Sequence, residues 1–281
     1  MRLVSIILLT IAVLLGVPLV ALVLYSLFRS YRLNRRWRAL EIPSSREVFS
    51  EAMVADLPPL VQRYFLHALK PGAPLPVSVQ LKNAAQYTLK PGATASPFRE
   101  QRIITPYHGG IWKTSAYTNR MQVYENAYYQ DGEAEEGGQA YWLVPLRYKM
   151  NSAPDLAKLF RCRLIAESVF VPAALLPQHG VVWEQLDEQH ARASLTVDGV
   201  TLPLTLQIDP DGRLREVRFD FWNCKGTPVW RDIPSGLIVH AEQTYGDYTI
   251  PSDYSLTLWY KTPEREPGIS LRYAVEQAQF R

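Results

Sequence analysis

Four short segments between residues 181 and 223 alternate apolar and polar residues and are joined by short polar turns. The segments are 181–186, 191–197, 200–208 and 214–223. A period of two is typical of strands that bury one face. The dipeptide Asp198-Gly199 between two of them is a strong hairpin signal, because both central residues of a type I′ turn need a positive φ. This region therefore predicts an antiparallel β meander.

Further segments of the same kind extend this prediction over most of residues 75–281. They lie at 77–82, 98–105, 111–118, 121–129, 139–148, 237–245, 254–261 and 268–280. The acidic stretch 131–138 between two of them is predicted as a solvated hairpin loop. No repeat or long linker divides the region. We therefore predict a mainly β (α+β) fold, in which residues 75–281 form one open, strongly curved antiparallel sheet.

Two helical regions accompany the predicted strands. Residues 39–74 read as a helical connector, since Ser44 and Glu47 fit a capping box and apolar residues recur at helical spacing after Pro58 and Pro59. Residues 152–177 contain a second helix that Asp155 can cap, followed by a very apolar segment. This second region has no other partner, so we expect it to cover the concave side of the sheet.

The N-terminal region contains 26 residues, 3–28, without a charged side chain. At about 1.5 Å per residue such a helix is roughly 39 Å long, enough to cross a hydrocarbon core of about 30 Å. A cleaved signal peptide usually has a shorter apolar region followed by small residues, whereas this run ends in Tyr25-Ser26-Leu27-Phe28. Residues 1–38 are therefore predicted to be an uncleaved single-pass anchor with its basic flank.

The excess positive charge of the chain comes from arginines beside this anchor. Only Arg2 precedes the apolar run, and five arginines follow it: Arg29, Arg32, Arg35, Arg36 and Arg38. The positive-inside rule then favours a cytoplasmic C-terminal domain. Without these six arginines the chain has 24 basic and 27 acidic residues. The pI of 8.8 thus reflects the flank, and no nucleic-acid partner is expected.

No motif in the sequence names a reaction. The five histidines lack metal-ligand spacing, and nucleophile elbows, P-loops and dinucleotide fingerprints are missing from the sequence. We therefore predict no catalytic residues, no metal and no cofactor. Cys162 and Cys224 are either free thiols or a disulfide, and a disulfide would require an oxidising compartment.

Arg163 and Glu167 are the most informative charged pair. They are four residues apart and therefore share a helix face. Two interpretations stay open. The pair is an ordinary ion pair at a helix end, or it is the polar anchor near the mouth of an apolar cavity, where it fixes the headgroup of an amphiphile.

The order of several motifs resembles a bacterial family defined only as a domain of unknown function, whose members often have an N-terminal membrane anchor. Over roughly residues 50–260 these motifs are Leu57-Pro58, Val61-Gln62-Arg63-Tyr64, Leu164-x-Ala166-Glu167, Pro172-x-x-Leu175-Leu176, Val182-Trp183-Glu184-x-Leu186-Asp187, Ala191-x-Ala193, Asp211-Gly212, Tyr245-Gly246-Asp247-Tyr248-x-Ile250-Pro251 and Trp259-Tyr260. That family is similar to the lipoprotein-carrier fold, an open antiparallel half-barrel whose concave face is closed by helices and binds acyl chains. The resemblance implies this half-barrel and supplies no catalytic residues.

Together these observations predict a membrane-tethered module that binds a lipid or another apolar ligand, with the bilayer as partner through residues 3–28. The expected ligand-binding residues are Arg163, Glu167, Trp183, Tyr245 and Trp259. The alternatives are an interaction scaffold whose cavity is filled by its own helices, and an enzyme of unknown reaction. The membrane is expected to be a bacterial inner membrane. The arginine flank favours the cytoplasmic side of this membrane. The periplasmic side would be favoured by the resemblance to carriers that act in the periplasm, and by a Cys162–Cys224 disulfide.

Overall fold

Thirteen β-strands form one sheet in the computed structural model, which describes residues 2–44, 46–88, 94–118, 120–146, 153–224, 229–258 and 270–281. The strands are β1 Val79–Thr88, β2 Ser96–Thr105, β3 Gly109–Thr118, β4 Met121–Gln130, β5 Glu133–Ala140, β6 Val144–Leu146, β7 Val182–Gln185, β8 His190–Val197, β9 Val200–Ile208, β10 Leu214–Asn223, β11 Arg231–Tyr245, β12 Tyr248–Leu258 and β13 Ser270–Phe280.

The sheet is an antiparallel meander that is joined at its middle. Its order is β6-β5-β4-β3-β2-β1-β13-β12-β11-β10-β9-β8-β7. Strands adjacent in sequence pair along each half, and β1 pairs with β13 to connect the two halves. The edge strands β6 and β7 do not pair with each other, so the sheet is open. The predicted mainly β fold with an open antiparallel half-barrel is confirmed.

Three α-helices pack on the two faces of this sheet in the part of the chain that the structure describes. They are α1 Arg2–Leu40, α2 Pro59–Ala68 and α3 Ala153–Ala166. Helix α3 continues into three 3-10 turns, Glu167–Phe170, Pro172–Leu175 and Pro177–His179, and a fourth, Glu51–Val54, precedes α2. Helix α3 and its turns cover the concave face, as predicted, and share one large apolar core with α2 and the strands. The domain limits after residues 38 and 74 stay a prediction.

The opposite, convex face carries the second half of α1. Leu33, Trp37 and Leu40 of α1 pack there against three buried residues of β2, β3 and β4, namely Ile103, Ile111 and Tyr128. The Lys113 ammonium lies 4.5 Å from the centre of the Trp37 ring. The N-terminal half of α1 has its apolar side chains exposed. Within Leu3–Leu40 the helix is long and apolar enough to cross a membrane, judged by length and composition.

Two local predictions were wrong. The acidic stretch 131–138 is not a loop, because only Asp131 and Gly132 form the turn, with φ of 51° and 81°, and β5 begins at Glu133. On the convex face the Glu133 carboxylate accepts a hydrogen bond from Arg36, and that of Glu135 accepts one from the Tyr128 hydroxyl. The expected helix start at Ser44 is also absent from the described residues there. Glu47 instead pairs through its backbone with a neighbouring segment, since its carbonyl accepts a hydrogen bond from the backbone N–H of Leu75 at 2.9 Å.

Candidate functional site

A cavity of about 220 Å³ lies on the concave side of the sheet, between α3 and strands β10 to β13. Its walls are mainly apolar, and the strand residues among them include Phe219, Phe221, Leu237, Leu256, Leu258 and Leu271. These residues share a face because inward positions recur every second residue along each strand. Helix α3 closes the cavity with Leu159 and Phe160.

One end of the cavity is formed by a buried charged cluster centred on Arg102 of β2. The Arg102 side chain is 1% exposed, and its Nη1 donates a hydrogen bond to Glu167 Oε1 at 2.9 Å. Its Nη2 donates to the hydroxyl of Tyr254 on β12. An isolated buried charge is strongly unfavourable, so such a group persists only when it is paired and hydrogen-bonded.

Glu167 connects the two guanidinium groups of the cluster. Arg163 Nε donates to Glu167 Oε1 at 2.9 Å, and the indole N–H of Trp112 donates to Glu167 Oε2 at 2.8 Å. Arg163 Nη2 also donates to Glu100 Oε2 at 3.2 Å. The four charged residues Glu100, Arg102, Arg163 and Glu167, here called the charged cluster, thus contain equal numbers of positive and negative groups.

Aromatic rings enclose the guanidinium groups of the charged cluster. The Arg102 guanidinium carbon lies 4.8 Å from the centre of the Phe170 ring and 5.5 Å from that of Tyr273. That of Arg163 lies 4.4 Å from the centre of the Trp112 ring. Cation–π contacts of this kind strengthen when water is excluded. The rings therefore help to hold the guanidinium planes in place.

The surroundings shift the pKa of several of these groups away from neutral pH. Burial by itself would raise the pKa of Glu167, but the Arg102 and Arg163 guanidinium groups outweigh it and hold this pKa below its ordinary value. Burial raises the pKa of both Tyr254 and Tyr273 above the ordinary value. At neutral pH Glu167 is therefore ionised and both phenols keep their protons. This arrangement suits fixed electrostatic and hydrogen-bonding roles better than proton transfer.

The charged cluster also contains polar atoms that lack a hydrogen-bond partner among the described residues. These are Arg102 Nε and Glu100 Oε1, and both amide atoms of Asn83 are in the same situation. Asn83 stands opposite Glu100 in the β1–β2 register. Buried polar atoms are nearly always hydrogen-bonded in folded proteins, to protein or to water. Of these three residues only Arg102 lines the cavity, and Glu100 Oε1 is ion-paired with Arg102 Nη1 at 3.5 Å.

The structure brings together only part of the residue set expected from the sequence. Arg163 and Glu167 lie side by side at the cavity, so the pair is both a helical ion pair and a polar element of the cavity wall. Trp183 instead donates its indole N–H to the Leu175 carbonyl at 2.9 Å, and the Tyr245 hydroxyl donates to the Val275 carbonyl at 3.0 Å. Neither lines the cavity. Trp259 lies outside the described residues.

Sequence reasoning missed Glu100, Arg102, Trp112, Tyr254 and Tyr273. The sequence of β2 contains a signal for Glu100 and Arg102. They alternate with other residues in the series Phe98, Glu100, Arg102 and Ile104, so they face the same side of the sheet as the two apolar residues. Charged residues at inward strand positions must find partners. Cys162 and Cys224 are free thiols. Within the described ranges, groups of three or more side chains suited to hold a metal ion are absent.

The chain belongs to a family of unknown function, DUF6544, whose model matches residues 47–267. The family membership expected from the order of the sequence motifs is confirmed. No curated protein matches the chain.

Two solved structures are similar in general architecture. A LolA superfamily protein from Nitrosomonas europaea is 10% identical, with 79% of this chain and 92% of that chain covered and a TM-score of 0.39. A DUF1329 family protein from Desulfovibrio piger is 10% identical, with 73% of this chain and 86% of that chain covered and a TM-score of 0.32.

Proposed function

We propose that this member of the DUF6544 family is a membrane-tethered protein that binds a small apolar or amphipathic ligand inside the half-barrel. The observation that carries the proposal is the cavity itself, which has apolar walls and one charged, hydrogen-bonding end. A binding site needs little more than a concave apolar surface and a few well-placed polar groups. The apolar part of the ligand would contact the leucine and phenylalanine walls, and its polar part would face Arg102, Arg163 and Glu167.

The charge balance of the cluster narrows the chemistry of the ligand. Each guanidinium group already faces a carboxylate, with Arg102 on Glu167 and Arg163 on both Glu167 and Glu100. A further full charge would have no counter-charge left and would meet the desolvation penalty of a buried ion. An uncharged polar group, such as an ester, ketone or hydroxyl, therefore fits the charged end of the cavity best.

The volume of the cavity sets the size of the ligand. At about 220 Å³ it is smaller than the roughly 300–1000 Å³ typical of sites for drug-sized molecules. The ligand is therefore a compact apolar molecule or a segment of a single acyl chain. Burial contributes about 0.8 kcal/mol for each CH2 group, so even a short apolar segment gives measurable affinity.

The exposed apolar surface of α1 supports the proposed tether. Leu3, Leu8, Leu14 and Leu15 are each more than 60% exposed, and the most hydrophobic window of the helix has no residue buried within the protein. Contiguous apolar surface of this extent is rarely left in water. A bilayer satisfies it.

We place the β domain on the cytoplasmic side of that bilayer because five arginines follow the apolar run. The positive-inside rule counts Lys and Arg residues near the membrane and is little affected by acidic residues. The Arg36–Glu133 ion pair therefore does not weaken this argument for the cytoplasmic side. Alkaline phosphatase and a fluorescent protein, each fused after Arg281, test the side. We expect the fluorescent-protein fusion to fluoresce and the alkaline phosphatase fusion to be inactive. The reverse result would put the domain outside.

A second candidate function is an interaction scaffold whose cavity is filled by the protein itself. The small volume and the close cover of α3 and its 3-10 turns favour it. In that case the charged cluster would serve only to fix α3 on the sheet, with no ligand.

Mass spectrometry of the full chain, gently extracted in a mild detergent, distinguishes the two candidates. The wild type is expected to carry a small apolar molecule. Leu256→Trp, which fills the cavity, should lose it, whereas Leu66→Trp on the exposed side of α2 should retain it. A wild-type protein free of any bound molecule would favour the self-filled scaffold. Thermal unfolding of both variants checks that they fold equally well.

A further inference from the structure

The apolar run of α1 meets the sheet at one defined point. The Ser26 hydroxyl donates a hydrogen bond to the Trp142 carbonyl at 2.7 Å, and Gln139 Nε2 donates to Ser26 Oγ at 3.1 Å. Ser26 is fully buried by this contact. The turn between β5 and β6 is thus fixed beside the last part of the apolar run.

Helix geometry then relates this point to the membrane surface. Residues 3–25 measure about 34 Å along the helix axis, which already exceeds a hydrocarbon core of about 30 Å. In a helix that crosses the bilayer from Leu3, Ser26 would therefore lie at the level of the lipid headgroups. The helix continues along the convex face to Leu40, whose carbonyl accepts a hydrogen bond from Thr105 at 2.9 Å. The sheet accordingly extends away from the bilayer, with the β5–β6 turn at its membrane end.

Exposed aromatic and apolar side chains gather at this same end of the sheet. Tyr117 and Met121 flank the β3–β4 turn, and Tyr141, Trp142 and Val144 form the β5–β6 turn and the start of β6. Tyr141 is 58% exposed and Trp142 41%. Tyr and Trp are the residues enriched at the headgroup level of membrane proteins. These five residues are called the membrane rim below.

Strand register connects the membrane rim to the cavity. From β6 to β12, antiparallel pairing places one pair of opposite residues after another along the same end of the sheet. These pairs are Val144 and Ala140, Met121 and Thr118, Ala116 and Phe98, Ser96 and Tyr87, Thr88 and Ser270, and Leu271 and Leu256. The cavity residues Leu258 and Leu271 stand at this end of β12 and β13. Tyr254 and Arg102 lie farther along their strands, so the cavity extends from the charged cluster toward the membrane end.

We infer that the membrane rim lies in the headgroup region of the bilayer that α1 spans, so that the cavity faces this bilayer and takes its ligand from the lipid leaflet. The occupant of the exposed apolar surface is therefore the lipid bilayer, continuous with the surroundings of α1. The inference rests on the tether of the proposed function. Arg29, one turn after Ser26 and half-buried beside Gly137, is well placed for lipid phosphates.

Nitroxide labels on two matched valines test the inference. Val144 in the rim and Val48 at the opposite end of the sheet are both 48% exposed. Val144→Cys and Val48→Cys are made in the full chain with Cys224→Ser, while Cys162, 2% exposed, is left in place. The labelled chains are reconstituted into phosphatidylglycerol–phosphatidylethanolamine vesicles. Accessibility to oxygen, which concentrates in lipid, is compared with accessibility to a water-soluble nickel chelate.

The label at position 144 is expected to favour oxygen and the label at position 48 to favour the nickel chelate. An alkaline carbonate wash of the same vesicles tests the tether independently. If the chain resists the wash and both labels favour the chelate, the rim is not in the bilayer and the inference fails while the tether stands. If the wash removes the chain, the tether fails and the inference with it. The parent chain with Cys224→Ser alone should take no label.

Discussion

The two faces of the sheet carry helices of opposite character. The concave face, under α3, has one large apolar core and a charged cluster in which the Glu100 side chain is 3% exposed. The convex face, under the second half of α1, has a small apolar cluster of four buried residues and an ion pair whose Glu133 side chain is 68% exposed. Strand β2 contributes to the apolar packing on both faces, because Ile103 is buried in the convex cluster and Ile104 in the concave core. The two faces thus share β2, but the charges on them differ in surroundings, buried under α3 and exposed to solvent beside α1.

The largest expected difference between the faces concerns their charges. Glu167→Gln leaves the buried Arg102 and half-buried Arg163 guanidinium groups with only Glu100 as counter-charge and should cost about 3–5 kcal/mol of unfolding free energy. Glu133→Gln removes the exposed partner of Arg36 and should cost less than about 1 kcal/mol. Urea unfolding of the full chain in detergent micelles, followed by tryptophan fluorescence, measures both. Equal losses for the two variants would show that the faces do not differ in this respect.

The apolar contacts should differ in the same direction. Leu164 in α3 is fully buried in the concave core, and Leu164→Ala should cost about 2–5 kcal/mol through lost burial and the remaining cavity. Leu33 in α1 is only half-buried against the convex face, so Leu33→Ala should cost distinctly less. The same unfolding assay compares these matched substitutions. A larger loss at Leu33 would contradict the comparison.

The dependence of stability on pH sharpens the comparison for Glu167. Its pKa in the folded chain lies below the ordinary value of 4.5, so the unfolded chain binds more protons as the pH falls through this range. The stabilisation by Glu167 is therefore complete above about pH 4.5 and is lost as the pH falls toward the pKa of the folded chain. Unfolding measured across this range should show the loss in the wild type and a flatter profile in Glu167→Gln. Leu164→Ala, although also destabilised, should keep the wild-type slope.

The smallest effect is expected where α1 first contacts the sheet. Ser26→Ala removes the hydrogen bond to Trp142 and leaves Gln139 Nε2 without its acceptor, which should cost about 1 kcal/mol. Backbone hydrogen exchange over residues 26–40 should become faster, since this segment is held by few contacts. Thr10→Val is the control, because the Thr10 hydroxyl bonds only within the helix, to the Ile6 carbonyl. Unchanged exchange in Ser26→Ala would mean that the apolar contacts alone hold α1 on the sheet.

Features set by neighbours in sequence were predictable. Asp198 and Gly199 have φ of 45° and 76°, as the turn chemistry predicted, and the pair Arg163–Glu167 follows from a spacing of four on a helix. The acidic stretch 131–138 was misread although Asp131-Gly132 is the same kind of turn. Composition suggested solvent exposure there, and the partners of its carboxylates, Arg36 and Tyr128, lie outside the stretch itself.

The sequence by itself determined the hairpins, the apolar helix and the helical cover, because turns, periodicity and helix length depend on residues close together in the chain. Only the tertiary structure decided which charges meet. Arg102 and Glu167 are 65 residues apart in sequence, and Arg102 and Tyr254 are 152 apart. Strand parity predicts that Glu100 and Arg102 face the same way. It cannot predict what faces them, because that depends on how β1 joins β13 and on where α3 packs.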